Sequence, residues 1–194
     1  MSTVEFGSVG EWTARVPLLI IGAGAAGLCA ALAANEVGVD AVVIERDAVP
    51  SGSTALSAGL IPAAGTRFQR ARNVVDSPDR LAADIQRKAH GEAPAALVET
   101  IARGSASLIE WLTERHALPF ELIENFNYPG HSALRMHGLP SRTGRELIDR
   151  LRNAAELSEI VVLTGCIAET KMGACAALRS YGVMESASAS AATH

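Results

Sequence analysis

A three-layer α/β domain on a parallel sheet is the fold class that this 194-residue sequence predicts, and three observations carry the prediction. The run VPLLIIG (Val16–Gly22) is continuously apolar and ends on glycine, the pattern of a buried parallel strand. An Ala/Leu-rich stretch of high helix propensity, Ala25–Glu36, follows it, with Gly38 placed where a helix would end. A second apolar run, DAVVIE (Asp40–Glu45), then completes β-α-β in about thirty residues.

Composition narrows the class. Hydrophobic residues are 48% and charged residues 20%, which is globular rather than disordered. Aromatics are only 4%, so abundant Ala and Gly favour close helix–sheet packing over a core of large rings. A formal charge of −4 gives no general attraction to nucleic acid or to an anionic membrane. Cys29, Cys166 and Cys175 form no CxxC pair and no zinc spacing, so a reduced, cytoplasmic setting is expected. The first twelve residues carry two acids and no basic region, so no signal peptide is expected. Val16–Asn35 is uncharged and, at about twenty residues, long enough to cross a bilayer. Its glycines and its fit to β-α-β argue against a transmembrane span.

Beyond the second strand, Ala48–Gly65 is a Pro/Gly/Ser-rich loop. Ser77–Gly91 reads as a helix with a serine cap and proline in the first turn. Ala93–Ala117 reads as another, with Leu97, Ile101, Ser105, Leu108 and Leu112 along one face. Leu118–Ser141 is broken by Pro119, Pro129, Pro140, Gly130 and Gly138 into loop or short strands. A helix over Thr143–Leu157 and a buried strand over Glu159–Thr164 follow. From Lys171 no period remains, and disorder or a loose helix is expected. The domain organisation expected is an extension (1–15), a nucleotide-binding domain (16–170) and a divergent Ala/Ser-rich tail (171–194).

Gly22-x-Gly24-x-x-Gly27 lies between strand and helix, the context of the Rossmann-like dinucleotide fingerprint. Gly22 serves a tight turn, Gly24 lets backbone approach a pyrophosphate, and Gly27 lets the helix lie against the strand. The helix N-terminus, with Ala25 and Ala26, offers N–H groups to phosphate. Glu45, eighteen positions after Gly27, is placed to accept hydrogen bonds from a ribose diol. These residues leave NAD and FAD both open.

The segment after Glu45 and Arg46 resembles that of the fumarate reductase/succinate dehydrogenase flavoprotein family, also called the FAD-dependent oxidoreductase 2 family. The matching residues are Ser51, Gly52, Ser53, Thr54, Ser57, Ala58 and Gly59. Small side chains there suit a backbone running beside a flavin and its diphosphate, with hydroxyls to bond them. Some members carry a flavin-linked His in a Ser-His-Thr sequence. Ser53 stands in that place, so the resemblance implies non-covalent FAD. It continues through Asn127–Leu151, similar to the family's passage GGHS…R-x-H…TG…L, and through Glu159–Thr170. There the backbone near Cys166, Ile167 and Ala168 is implied to lie against adenine.

The resemblance implies an oxidoreductase moving hydride through flavin N5, with a small-molecule substrate left unspecified. His131, His137, Arg135 and Arg142 are not assigned to catalysis: loop histidines are mostly surface or hydrogen-bonded groups, and the arginines read as solvated or ion-paired. Family members run to more than twice this length, and their capping domain and C-terminal flavin segment have no counterpart here. A truncated or frame-shifted product is therefore expected, with exposed apolar surface and self-association. Two readings stay open beside the flavoenzyme: a catalytically silent fragment binding at most the ADP part of FAD, and an NAD-binding domain.

Overall fold

The two apolar runs of the β-α-β stretch lie parallel, from Leu18 opposite Ala41 to Ile21 opposite Ile44. In the computed structural model, residues 4–6, 14–170 and 176–180 are described. Along the chain come β1 (Val4–Phe6), β2 (Ala14–Val16), β3 (Leu18–Ile21), α1 (Ala25–Glu36), β4 (Ala41–Ile44), α2 (Gly52–Leu56), β5 (Ile61–Pro62) and α3 (Arg67–Ala71). Then follow α4 (Pro78–Lys88), α5 (Ala95–His116), β6 (Glu121–Leu122), β7 (Met136–Gly138), α6 (Gly144–Leu157), β8 (Val161–Leu163), β9 (Cys166–Thr170) and β10 (Ala176–Ser180). They fall into two units: Met1–Gly52 with Arg152–His194, and Ser53–Leu151.

The first unit is the α/β part. Its parallel sheet has the order β3-β4-β8, with Val42 opposite Val161 and Ile44 opposite Leu163. Helix α1 buries Leu28, Ala31 and Leu32, and its alanines bring the helix axis close to the strands. Only β4 has partners on both sides, and Val43 and Ile44 are buried. The expectation that the flanking strands are fully buried is corrected: Ile21 is 61% exposed, and Val161 and Leu163 are exposed. Each is an edge of a three-stranded sheet and lacks a neighbour on one side among the described residues. Two antiparallel pairs complete the unit, β1 with β2 and β9 with β10. The second corrects the reading of the tail as disorder or loose helix for residues 176–180, where Ala176 pairs Thr170 and Ser180 pairs Cys166. Residues 171–175 and 181–194, Cys175 included, lie outside the described residues.

The second unit is helical around a small antiparallel sheet of order β5-β7-β6. Ser77 caps α4 by accepting the Arg80 N–H at 3.2 Å. A capping box of Thr66 and Gln69 starts α3, which the sequence reading did not contain. Likewise α2 and β5 lie within the segment read as loop, Ala48–Gly65. The proposed face of α5 is also corrected. The buried row is Val98, Ala102, Ser105, Ile109 and Leu112, while Leu97 is 56% and Ile101 47% exposed. Small Ala102 packs against Ala64 and Leu81, with Ala82 and Ile85 alongside, so α4 meets α5 on its alanine side. Among the described residues no helix is long and apolar enough to cross a membrane.

Candidate functional site

The fingerprint turn lies between β3 and α1. Gly22 donates its N–H to Ile44 C=O at 2.7 Å and sits at φ +96°, which a side chain would resist. A Cβ on Gly27 would lie 1.9 Å from Gly22 C=O, so only glycine lets α1 start this close to the strand. Gly24 is the N-cap of α1 in an ordinary extended conformation, φ −77° and ψ −177°, with no side-chain cap. Its backbone conformation imposes no need for glycine. The first bond of α1 is Leu28 N–H to Gly24 C=O at 3.0 Å. The Ala26 and Gly27 N–H groups before it have no partner within the helix, and the positive end of the helix lies there.

Glu45 joins this turn from the end of β4. Its Oε2 accepts the Ala23 N–H at 2.9 Å and its Oε1 accepts the Asp47 N–H at 3.0 Å. Its own N–H donates to Leu163 C=O and its C=O accepts from Cys166 N–H, both at 2.8 Å. Thus the ends of β3, β4 and β8 and the start of β9 meet at one residue. Arg46 extends into solvent with its Nε 3.1 Å from Asp47 Oδ1. Ile167 and Ala168 are half-buried on β9. Cys29 on α1 is a thiol that burial pushes up to about 11, which keeps it protonated and unreactive.

Of the remaining candidates, Ser51 and Gly52 close the first unit's first segment, while Ser53, Thr54, Ser57, Ala58 and Gly59 belong to the second. There the Ser57 hydroxyl donates to Thr54 C=O at 2.8 Å and accepts the Gly59 N–H at 3.0 Å. Ser57 C=O accepts the Gly144 N–H at 2.8 Å. A Cβ on Gly59 would lie 2.5 Å from Thr143 C=O, and one on Gly144 would lie 1.7 Å from Thr54 C=O. Part of this small-residue signal therefore serves a close approach between the two segments. Ser53 and Ala58 are exposed.

His137 and Arg135 are buried structural groups of the second unit. The His137 Nδ1–H donates to Arg135 C=O at 3.0 Å, leaving Nε2 to accept from the Thr66 hydroxyl at 2.9 Å. Burial pushes this imidazole below its ordinary value, so it stays neutral at pH 7. The Arg135 guanidinium bonds Asp76 twice, at 2.8 and 3.0 Å, and Asp84 once, at 2.8 Å. His131 is also pushed down, by burial and then by the Arg135 charge. Arg142 bonds the Asn125 side chain at 2.9 Å. Sequence reasoning singled out Arg135 but missed Asp76 and Asp84. It also missed the second use of Glu45, since its partners are backbone N–H groups that no residue type signals.

A parallel β-α-β unit with a glycine turn, a helix N-terminus and a carboxylate at the end of the second strand defines a dinucleotide-binding protein. The family model described as "FAD binding domain" matches residues 18–170. The chain belongs to that family, and FAD is the cofactor of this fold. It is 31% identical over 144 residues to urocanate reductase of Eggerthella lenta, covering 74% of this chain and 24% of that protein. It is 30% identical over 122 residues to fumarate reductase (cytochrome) of Shewanella frigidimarina, covering 63% and 21%. Among solved structures, the open conformation of a flavocytochrome c3 fumarate reductase aligns with TM-score 0.72 and 28% identity, over 79% of this chain and 27% of that one. A 3-ketosteroid-Δ4-(5α)-dehydrogenase from Rhodococcus jostii aligns with TM-score 0.71 at 23% identity, over 87% and 41%, and shows the shared fold. The chain spans about a quarter of the length of the curated relatives named.

Proposed function

We propose that the chain is the FAD-holding part of a flavoprotein oxidoreductase of the fumarate reductase/succinate dehydrogenase type, acting in the cytoplasm on a small molecule. The observation that carries this reading is the joined geometry of Gly22, Gly24, Gly27 and Glu45 in a chain of the FAD binding domain family. The pyrophosphate is assigned to the turn Gly22–Gly27 and the first turn of α1, including Ala25 and Ala26. The ribose diol is assigned to Glu45, and adenine to the backbone near Ile167 and Ala168. Ser51, Gly52, Ser53, Thr54, Ser57, Ala58 and Gly59 are assigned to the flavin end on the family resemblance alone, as is non-covalent attachment.

The bound flavin supplies hydride acceptance or donation at N5. The chain's own residues supply position and charge: helix N–H groups offset the phosphates, and glycines admit them closely. Relatives named as urocanate and fumarate reductases support a small unsaturated acid as substrate of the whole protein.

The test is expression of the chain, gel filtration, and a search for a yellow chromophore released intact by acid denaturation. Released FAD supports the reading. Colourless protein with saturable NAD binding would overturn it. Gly24→Val is expected to abolish FAD retention while circular dichroism stays unchanged, because a side chain there occupies the pyrophosphate position.

A further inference from the structure

The Glu45 carboxylate already has two partners before any ligand arrives. Oε2 accepts from Ala23 N–H at 2.9 Å and Oε1 from Asp47 N–H at 3.0 Å. Both are charge-assisted bonds to the backbone, the stronger kind of hydrogen bond. Ala23 lies inside the fingerprint, between Gly22 and Gly24, and its methyl is fully buried. Asp47 lies in the turn after β4, beside Gly165, whose N–H reaches Asp47 C=O at 3.5 Å.

We infer that Glu45 is a positioning residue for the phosphate turn, acting through Ala23, in addition to the ribose contact assigned to it above; the inference rests on that nucleotide reading. A carboxylate offers about four lone-pair sites, so a ribose diol can donate to the same oxygens without displacing the two N–H groups. The bond to Ala23 fixes the peptide between the two glycines and commits that N–H to the carboxylate. The Ala26 and Gly27 N–H groups, which have no partner within the helix, are then the donors assigned to phosphate. Removing the carboxylate leaves the Ala23 N–H without its acceptor and loosens the peptide between Gly22 and Gly24, so the phosphates then bind a less ordered turn. A ligand without a ribose diol should feel this loss too, which a carboxylate acting on the diol alone does not produce.

The experiment has two arms on the full chain. The first is amide hydrogen exchange without ligand. Glu45→Ala is expected to speed exchange at Ala23 and Asp47 by about tenfold, the worth of one charge-assisted bond, while Val43 and Ile44 in β4 stay protected. Glu45→Gln, whose single carbonyl oxygen serves one N–H, should give an intermediate effect. Unchanged exchange at Ala23 in Glu45→Ala would overturn the inference, and protected β4 amides exclude simple unfolding as the cause. The second arm measures affinity by calorimetry for ADP and for 2′,3′-dideoxy-ADP. Glu45→Ala is expected to weaken both, the dideoxy compound by about tenfold. Loss for ADP alone would reduce Glu45 to a diol ligand and sink the positioning role. Failure of the unaltered chain to bind either compound would instead overturn the nucleotide reading, with the exchange arm still deciding the clamp.

Discussion

Arg135 meets Asp76 with two parallel bonds, Nη2 to Oδ1 at 2.8 Å and Nε to Oδ2 at 3.0 Å, and both side chains are wholly out of solvent. Asp84 takes the third direction of the same guanidinium. Breaking such a pair leaves a buried charge without its counterpart, at a cost of about 3–5 kcal/mol. Arg135→Ala is therefore expected to lower the urea midpoint sharply or to prevent folding of the second unit. Asp76→Asn should cost less, since the amide oxygen still accepts one bond.

Asp84 carries the acid sensitivity of this cluster. Burial alone would raise its carboxyl, but bonds from the Ser132 N–H and hydroxyl, Arg87 and Arg135 outweigh it and hold the group at about 2 against an ordinary 3.8. A carboxyl depressed in the folded state contributes stability that is complete above its unfolded value. That contribution is lost as pH falls from about 4 towards 2. Stability measured across this window should fall in the unaltered chain, and Asp84→Asn should flatten the fall. An equal slope in both would refute the assignment.

The glycines divide by what they serve. Gly144→Ala drives a methyl to 1.7 Å from Thr54 C=O. A backbone shift there should cost about 1–3 kcal/mol, read by thermal unfolding. Gly27→Ala, at 1.9 Å from Gly22 C=O, should cost a similar amount and also reduce FAD retention.

The end of α5 offers a stabilising change. Ala117 caps it at φ 53° and ψ 31°, and the next residue, Leu118, donates its N–H to Leu112 C=O at 3.1 Å. Glycine takes this left-handed conformation without the Cβ penalty of about 1 kcal/mol. Ala117→Gly should raise stability by a similar amount on unfolding.

Two substitutions on α5 separate its faces. Ile109→Ala should cost about 2–5 kcal/mol and Ile101→Ala less than about 1 kcal/mol, because only the first empties a buried site. Comparable losses would restore the row through Leu97 and Ile101 as the packed one.

Legibility followed the range of the interactions. Helix α1 spans Ala25–Glu36 as its residues indicate, because propensity and glycine placement are local. The packed side of α5 was not legible, since the helix is apolar on two adjacent sides and Ala64 and Leu81, far along the chain, decide between them. The edge positions of β3 and β8 follow from pairing, which an apolar run does not encode. The glycine fingerprint and Glu45 stood out in the sequence, whereas Ala23 and Asp47 as partners of that carboxylate did not.

Cys166 donates its N–H to the same Glu45 whose side chain holds Ala23, and its half-buried thiol lies one peptide from Gly165. One residue at the end of β4 therefore ties two stretches of chain more than a hundred positions apart: its side chain holds the glycine turn and its backbone holds the start of β9.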